Sequence, residues 1–257
     1  MSPLKTLKAD QLRVKILPSR DEMGREAAKD AAACLRALLA QKETVNVIFA
    51  AAPSQDETLF YLAQEPDIDW QRVNAFHMDE YIGLPALAPQ AFSNYLREHI
   101  FSKVPFAHVY TLNPQAQDAQ AECDRYSALL KTYPADMVCL GIGENGHIAF
   151  NDPWVADFDD PQLVKVVPLD PVCRQQQVND GCFASLDAVP TNAITLTIPA
   201  LSSAGHLFCS VPAKTKTWAV TQTVRGEISA KVPATVMRRH PDATLYCDPD
   251  SGAQLLG

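Results

Sequence analysis

Short apolar runs alternate with longer amphipathic segments along most of this chain. The runs are fully apolar or alternate with period two, as strands do, and the segments between them place apolar residues three and four apart, as helices do. The runs predict strands at 14–17, 45–51, 70–76, 110–112, 136–141, 163–168, 192–198, 206–211 and 243–247. The amphipathic segments predict helices from Ser19 to about 42 and over 57–64, 89–101, 117–131 and 215–224. Strands separated by helices favour an α/β fold with one open, mostly parallel sheet and helices on both faces.

The chain shows no internal division. No linker, repeat or low-complexity segment interrupts the alternation, so residues 1–257 are interpreted as a single domain. Ser19 and Glu22 have the spacing of a capping box and mark the start of the first helix. The Pro- and Asp-rich stretch 151–161 is long enough for a loop that covers a site.

Composition narrows the class of protein. A hydrophobic content of 47% supports a sizeable core, and a net charge of −8 argues against nucleic-acid binding, which needs a basic face. The 7 cysteines are irregularly spaced and form no Cys-x-x-Cys pair, which favours reduced thiols in a cytoplasmic protein. No signal peptide is recognised near the first residue, and no apolar run approaches the roughly 18 residues of a membrane span. We therefore expect no membrane association and leave homo-oligomerisation open.

Two clusters of polar residues interrupt apolar runs at strand ends. The first is Phe-His-Met-Asp-Glu-Tyr at 76–81, and the second is Gly-Ile-Gly-Glu-Asn-Gly-His-Ile-Ala-Phe-Asn-Asp-Pro at 141–153. Neighbouring parallel strands end in one crevice, so side chains about seventy positions apart in sequence meet there. Carboxylates together with an imidazole suit acid–base catalysis.

These motifs resemble a known family. Phe-His-Met-Asp-Glu-Tyr-Ile-Gly-Leu-Pro at 76–85, Gly-Glu-Asn-Gly-His-Ile-Ala-Phe-Asn-Asp-Pro at 143–153 and Arg-Arg-His-Pro at 238–241 are similar to the glucosamine-6-phosphate deaminase/isomerase family, whose fold the 6-phosphogluconolactonases share. The resemblance covers about residues 20 to 250 and implies a Rossmann-like fold of the deaminase/isomerase type. It also implies an amino-sugar-phosphate substrate, a ketose phosphate and ammonia as products, and no cofactor. The lactonases usually carry Asp-Glu-Arg and a Gly-His-Thr-type loop instead.

The resemblance assigns the central proton transfer to Asp79. Conversion of a 2-amino-aldose to a 2-ketose moves a proton from C2 to C1, and one carboxylate above both carbons can transfer it. The alternative is that Asp79 only caps the following turn. Glu80 either orients Asp79 or faces solvent.

The same resemblance assigns ring opening to His147, by proton transfer between O5 and O1. Imidazole suits this step because its ordinary pKa lies near neutrality. The alternative is a loop histidine bonded to backbone carbonyls. The family usually has Asp two residues before the histidine and Glu five residues after it, whereas this chain has Asn145 and Asp152. A relay through Asp152, with a contribution from Glu144, is expected.

The phosphate site departs further from the family pattern. A Gly-rich loop usually follows the first core strand, and this chain instead has Ala-Ala-Ala-Pro-Ser-Gln at 50–55. Ala51 allows close backbone approach, while Ser54 and Gln55 supply a hydroxyl and an amide before a helix whose N–H groups favour an anion. An ordinary strand–helix turn is the alternative.

Two basic residues are expected near that anion. Lys216 follows the strand 206–211 and matches the position of a phosphate-contacting lysine in the family. Arg174 lies approximately where the family has a phosphate arginine, in a polar run, 173–181, that is either a substrate-facing loop or a surface helix. Each could instead be a solvated surface residue.

No metal or redox cofactor is expected. The six histidines do not pair at ligand spacing, and no Walker loop, nucleophile elbow or convincing dinucleotide fingerprint is present. Three functions remain: a deaminase/isomerase acting on glucosamine or galactosamine 6-phosphate, a 6-phosphogluconolactonase-type hydrolase, and a non-catalytic sugar-phosphate sensor. The residues at 79–81 and 147–151 favour the first.

Overall fold

The computed structural model describes residues 2–257 and is built around one eight-stranded sheet. The strand order is β1-β2-β11-β10-β7-β3-β4-β6, in which β1 pairs antiparallel with β2 and all other neighbours are parallel. The strands are β1 (Lys5–Ala9), β2 (Leu12–Ile16), β3 (Val45–Phe49), β4 (Val73–His77), β6 (His108–Tyr110), β7 (Met137–Leu140), β10 (His206–Val211) and β11 (Ala243–Cys247).

A second, three-stranded antiparallel sheet lies beside the first. Its order is β5-β9-β8, with β5 (Asp79–Tyr81), β8 (Val164–Pro168) and β9 (Asn192–Leu196). β5 follows β4 after a single residue, Met78, so the chain passes from the large sheet directly into the small one. This step separates Asp79 from the strand that precedes it and fixes it by pairing with Thr195.

Helices cover both faces of the large sheet. They are α1 (Arg20–Leu39), α2 (Asp56–Leu62), α3 (Phe92–Leu96), α4 (Ala119–Thr132), α5 (Pro171–Asn179), α6 (Ile198–Ser202), α7 (Thr217–Arg225) and α8 (Ala253–Leu256), with a π-helical turn over Arg97–Phe101 directly after α3. Side chains of the central strands alternate between two cores. In β7, for example, Met137 and Cys139 pack with α1 and α2 on one face, while Val138 and Leu140 pack with α4 and α7 on the other.

The predicted fold class is confirmed, and most element predictions lie within a few residues of the observed bounds. Ser19 caps α1 by accepting a hydrogen bond of 3.1 Å from the Glu22 N–H. The stretch 151–161 is a loop as predicted. The small sheet was not predicted as a separate unit, and its strand β5 was missed because three residues carry too little pattern to be recognised.

Candidate active site

An open cleft of about 770 Å³ lies at the carboxyl ends of the central parallel strands. The loops after β3, β7 and β10 line it, together with Asp79, which follows β4. β3 and β7 are neighbours in the sheet. The next strand of this sheet after β3 is β4, on the far side of β3, and the next after β7 is β10, on the far side of β7, so the connections diverge between β3 and β7. Ligands of open α/β sheets usually bind at such a point.

The loop after β3 forms one wall of this cleft, as the sequence predicted for Ala51, Ser54 and Gln55. Gln55 is 1% exposed, and its Nε2 donates hydrogen bonds of 3.1 Å to Ser54 Oγ and to the Ser210 carbonyl. Its Oε1 is buried and has no partner in residues 2–257. A Cβ at Gly141 would lie 3.0 Å from Gln55 Nε2, so the absence of a side chain there allows the loops after β3 and β7 to pack together.

Asp79 is a buried carboxylate that faces the cleft. Its side chain accepts no hydrogen bond from any residue in 2–257. Burial, followed by the nearby charge of Glu80, raises the pKa of Asp79 well above the ordinary value of an aspartic acid. An unpartnered carboxyl group with a raised pKa is suited to accept and return a proton.

Glu80 points away from Asp79 and toward the start of α3. Its carboxylate accepts hydrogen bonds from the N–H groups of Tyr81, Phe92 and Ser93, at 3.0, 3.0 and 2.9 Å. Burial raises the pKa of Glu80, although these hydrogen bonds oppose the shift. Glu80 is fully buried, so the alternative in which it faces solvent is wrong. Its carboxylate bonds to backbone N–H groups, so any effect on the orientation of Asp79 is indirect.

His147 is held by Asn145 and Asp152. Its Nδ1 lies 2.8 Å from Asn145 Oδ1 and 3.0 Å from Asp152 Oδ1, and the Asn145 amide donates to the same carboxylate oxygen at 2.8 Å. Both contacts of Nδ1 are with acceptors, so Nδ1 carries the proton and Nε2 is left as the basic nitrogen. The Asn145 amide thus orients the ring without adding charge.

Asp152 is fully buried behind the imidazole. Burial alone would raise the pKa of Asp152, but hydrogen bonds from His147, Asn145 and the Asp170 N–H outweigh it and hold the pKa below its ordinary value. Asp152 is therefore ionised and able to stabilise a protonated His147. Glu144, the other carboxylate considered for this relay, instead has its N–H bonded to Gln176 and lies near Lys216.

The tight turn before His147 depends on glycine. A Cβ at Gly143 would lie 2.1–2.3 Å from the His147 ring atoms, so any side chain at 143 would displace the imidazole. Gly146 has φ +86°, a conformation that L side chains rarely adopt. The Gly-x-x-Gly-His pattern is thus a steric requirement of the imidazole position.

Lys216 supplies a cation to the lining of the cleft. It is 5% exposed, and its ammonium group makes no hydrogen bond or ion pair with any residue in 2–257. Burial lowers the pKa of Lys216, and the carboxylates of Asp180 and Glu144 oppose that shift. The turn that places this lysine begins at Ala213, whose φ of +82° is a strained conformation for a residue other than glycine.

Arg20 also lines the cleft and was missed in the sequence analysis. Its guanidinium donates to the Pro53 carbonyl and to Glu57 Oε1, the latter at 2.7 Å, and so fixes the loop after β3. Its position could have indicated this role, because Arg20 follows the carboxyl end of a parallel strand, as the predicted site residues do.

The polar run around Arg174 forms helix α5, and two of its glutamines face the cleft. Gln176 and Gln177 line the cleft, whereas Arg174 does not contribute to the lining. One Arg174 Nη donates to the carbonyls of Leu186 and Val189, at 2.7 and 2.9 Å. The structure therefore does not bring Arg174 to the anion site, because the helix turns its side chain toward the following loop.

A thiol lies behind the relay. Ligating atoms of His147, Asp152 and Cys173 lie within 4.8 Å of one another, a spacing that would also fit a metal ion. Burial raises the pKa of the Cys173 thiol well above its ordinary value. Since the His147–Asp152 hydrogen bond already uses the facing atoms, the arrangement favours a proton relay.

Comparison with known proteins identifies relatives over most of the chain. Residues 18–246 match the family model described as glucosamine-6-phosphate isomerases/6-phosphogluconolactonase. The glucosamine-6-phosphate deaminase of Listeria monocytogenes (strain HCC23) is 35% identical over 211 residues, covering 82% of this chain and 88% of that protein. The deaminase of Streptococcus gordonii is 32% identical over 238 residues, covering 93% and 97% of the two chains.

Solved structures show the same architecture. A monomeric glucosamine-6-phosphate deaminase superposes with a TM-score of 0.85 at 28% identity, covering 93% of this chain and 98% of that one. The 6-phosphogluconolactonase of Thermotoga maritima superposes with a TM-score of 0.74 at 20% identity over 92% and 99% of the two chains, which shows a shared fold. None of the helices in residues 2–257 is long and apolar enough to cross a membrane.

Proposed function

Because this chain belongs to the glucosamine-6-phosphate isomerase/6-phosphogluconolactonase family, we propose that it is an amino-sugar-phosphate deaminase/isomerase. The substrate is a 2-amino-2-deoxyhexose 6-phosphate of the gluco or galacto series, and the products are a ketohexose 6-phosphate and ammonia. One observation carries this proposal: an unpartnered, buried Asp79 faces the same cleft as the His147–Asp152 pair.

His147 opens the sugar ring in this mechanism. Nε2 takes the proton from the O1 hydroxyl and returns it to O5, while Asp152 stabilises the transient imidazolium through Nδ1. Asn145 keeps the ring in place by accepting from Nδ1 and donating to Asp152. The open-chain aldehyde that results makes the C2 proton acidic.

Asp79 then moves that proton. Its carboxylate takes the proton from C2 and returns it to C1, while a proton from the nitrogen passes to O1. The resulting ketimine at C2 is hydrolysed by water to the ketose and ammonia. A general base must be ionised, so the raised pKa of Asp79 makes it a stronger base than an exposed aspartate once it has lost its proton. Glu80 acts indirectly, by its charge and by fixing α3.

The 6-phosphate binds beside Lys216 and the loop after β3, which both line the cleft. Lys216 supplies the charge, Ser54 supplies a hydroxyl, and Ala51 and Gln55 shape the loop, which Arg20 fixes. The seven free cysteines support a reducing, cytoplasmic location, and the net charge of −8 supports a small-molecule substrate over a nucleic acid.

The test is product formation. Purified protein incubated with glucosamine 6-phosphate or galactosamine 6-phosphate should release ammonia and a ketose phosphate in equal amounts, measured by separate coupled assays. Hydrolysis of 6-phosphogluconolactone without any ammonia release would contradict the proposal and favour the lactonase reaction.

A further inference from the structure

A phosphate ester brings more negative charge into the cleft than Lys216 alone offsets. A phosphate monoester carries about −1.5 to −2 charges at neutral pH. Lys216 supplies one positive charge, and the carboxylates of Asp180 and Glu144 lie close enough to oppose the effect of burial on its pKa. These carboxylates also repel a bound anion. A second cation is therefore expected in the lining of the cleft.

Arg20 is the candidate for that second cation. Within residues 2–257, Arg20 is the only arginine or lysine besides Lys216 that lines the cleft. Its side chain is 39% exposed, so part of the guanidinium is available to a ligand. Arg174, which the sequence pointed to instead, does not contribute to the lining.

Two hydrogen bonds occupy one edge of the Arg20 guanidinium. Nε donates to Glu57 Oε1 at 2.7 Å, and Nη2 donates to the Pro53 carbonyl on the same side of the planar group. Both N–H groups of Nη1 and the second N–H of Nη2 make no hydrogen bond with any residue in 2–257. These donors form the end edge of the guanidinium, which arginine uses to bind two oxygens of one phosphate.

The guanidinium lies beside the Ser54 hydroxyl, because the Pro53 carbonyl that it binds belongs to the peptide bond before Ser54. Ser54 Oγ accepts a hydrogen bond of 3.1 Å from Gln55 Nε2. The Ser210 carbonyl, which can only accept, binds the same Nε2 and so identifies it as the amide nitrogen. The Ser54 proton has no acceptor in residues 2–257, so Ser54 and Arg20 both offer donors to an anion.

The ion pair with Glu57 fixes Arg20 before any ligand binds. A side chain that is already held loses little rotamer freedom when it contacts a ligand. The Glu57 charge also offsets part of the guanidinium charge, so the contribution of Arg20 to anion binding comes mainly from directed hydrogen bonds. We therefore expect an effect at the lower end of the range for charge-assisted bonds.

We propose that Arg20 is the second phosphate ligand of this cleft. The edge formed by Nη1 and Nη2 binds two oxygens of the 6-phosphate, while Ser54 and Lys216 donate to the remaining positions. Arg20 thus takes the role that the sequence resemblance gave to Arg174, in addition to fixing the loop after β3. This inference rests on the proposed function for the identity of the ligand and adds a residue of α1 to the site.

The experiment measures phosphate binding separately from turnover in the full chain. Isothermal titration calorimetry with inorganic phosphate gives Kd, and steady-state kinetics with glucosamine 6-phosphate gives KM and kcat. Arg20→Gln should raise both the phosphate Kd and KM by about tenfold. The kcat should stay within about twofold, because the contact is with the phosphate and not with the reacting carbons. Arg20→Lys keeps the charge but cannot bridge two oxygens, so its Kd and KM should lie between those of wild type and Arg20→Gln.

Tyr95→Phe is the matched control for a loosened loop. The Tyr95 hydroxyl donates to the Ala52 carbonyl at 2.8 Å, so its removal loosens the loop that Arg20 also holds. Tyr95 does not line the cleft, and its removal takes away no donor there. The phosphate Kd of Tyr95→Phe should therefore rise by about threefold or less.

The outcomes separate this inference from the proposed function. An unchanged phosphate Kd in both Arg20 variants would overturn the inference. Equal weakening by Arg20→Gln and Tyr95→Phe would also overturn it, because Arg20 would then act only through the loop. Phosphate binding that depends on Arg20, in a protein that releases no ammonia from either amino-sugar phosphate, would contradict the proposed function and support Arg20 as an anion ligand.

Discussion

Asp79 and Asp152 are two aspartates in one site whose surroundings separate their pKa values. Burial and Glu80 raise the pKa of Asp79, whereas hydrogen bonds lower that of Asp152 despite its burial. Pairs of this kind usually divide proton transfer and charge stabilisation between them. Asp79 is therefore the residue that exchanges a proton with substrate, and Asp152 keeps its charge throughout.

Replacement of Asp79 by Asn should nearly abolish isomerisation. The amide cannot take a proton from C2, and a positioned general base typically contributes about 10²- to 10⁴-fold. The measurement is exchange of the C2 proton with solvent deuterium, followed by NMR. In wild type, kcat/KM should fall as pH is lowered through the raised pKa of Asp79, because the protonated carboxyl is not a base.

His147→Gln serves as the matched comparison. This variant lacks the ring-opening base, so a substrate analogue fixed in the open-chain form should partly restore its activity. The same analogue should not restore the activity of Asp79→Asn. Wild-type exchange rates in Asp79→Asn would remove that residue from the mechanism.

The sequence predicted the reacting groups better than the residues that bind anions. Asp79, His147 and Asp152 follow strand ends, and strand ends can be recognised from apolar runs. The position of Arg174 depends on which face of α5 it occupies, and the weak amphipathic pattern of residues 171–179 does not determine that face. Arg20 was missed because its role arises from contacts with Pro53 and Glu57, which are more than thirty residues away.

Among the elements, the short helix α3 depends on a residue outside it. Ala91, at its N-cap, provides no side-chain hydrogen bond, and Glu80 instead accepts from Phe92 and Ser93 N–H groups. The same residue lies on β5 beside Asp79, so the strand that carries the base also anchors the helix whose first residue, Phe92, lines the cleft.

Removal of this anchor should destabilise the fold. Glu80→Ala would leave buried N–H groups without acceptors, and an unsatisfied buried donor costs about 1–3 kcal/mol. The free energy of unfolding, measured by urea titration, should fall by at least that amount. Glu98→Ala, at an exposed position just beyond α3, is the control and should have little effect. Equal stability of the two variants would show that the helix does not need the carboxylate.

Long elements were more predictable than short ones for a physical reason. The central strands β3 and β7 bury both faces, so their runs are apolar apart from Asn46, and α1 extends over 20 residues with a recognisable cap. The small sheet depends on pairing between residues more than one hundred positions apart, such as Asp79 with Thr195. Three-residue β5 has no local pattern that encodes such pairing.

On the scale of the whole molecule, the two cores lie on opposite faces of one sheet. The buried ionisable groups without a partner lie at the carboxyl ends of its strands. Each face of the sheet is covered by apolar side chains, with Val45 in one core and Ile48 in the other. Asp79 and Lys216, by contrast, are buried charges or potential charges with no partner in residues 2–257. Such an arrangement lowers the stability of the free enzyme and is relieved when a ligand binds.

Lys216→Met should therefore stabilise the free protein while weakening its binding of phosphorylated substrate. Burial lowers the pKa of Lys216, which means that the folded state disfavours the ammonium form. The destabilisation is fully present below the lowered pKa and disappears as pH rises past the ordinary lysine value of 10.5, where both states are neutral. Methionine has a similar shape without the charge, so the free energy of unfolding at pH 7 should rise by about 1 kcal/mol.

Ligand dependence completes the test of this trade-off. Glucosamine 6-phosphate should raise the melting temperature of an Asp79→Asn protein, which binds the sugar phosphate without converting it, and should have much less effect once Lys216→Met is added. Loss of a charge-assisted hydrogen bond costs about 1.5–3 kcal/mol, which corresponds to a roughly ten- to hundredfold larger dissociation constant for the sugar phosphate. Two results would place Lys216 among the structural residues: a double variant less stable than Asp79→Asn alone, or one whose melting temperature responds to the ligand as strongly. A lysine that only supports the fold would not lower the stability of the free protein.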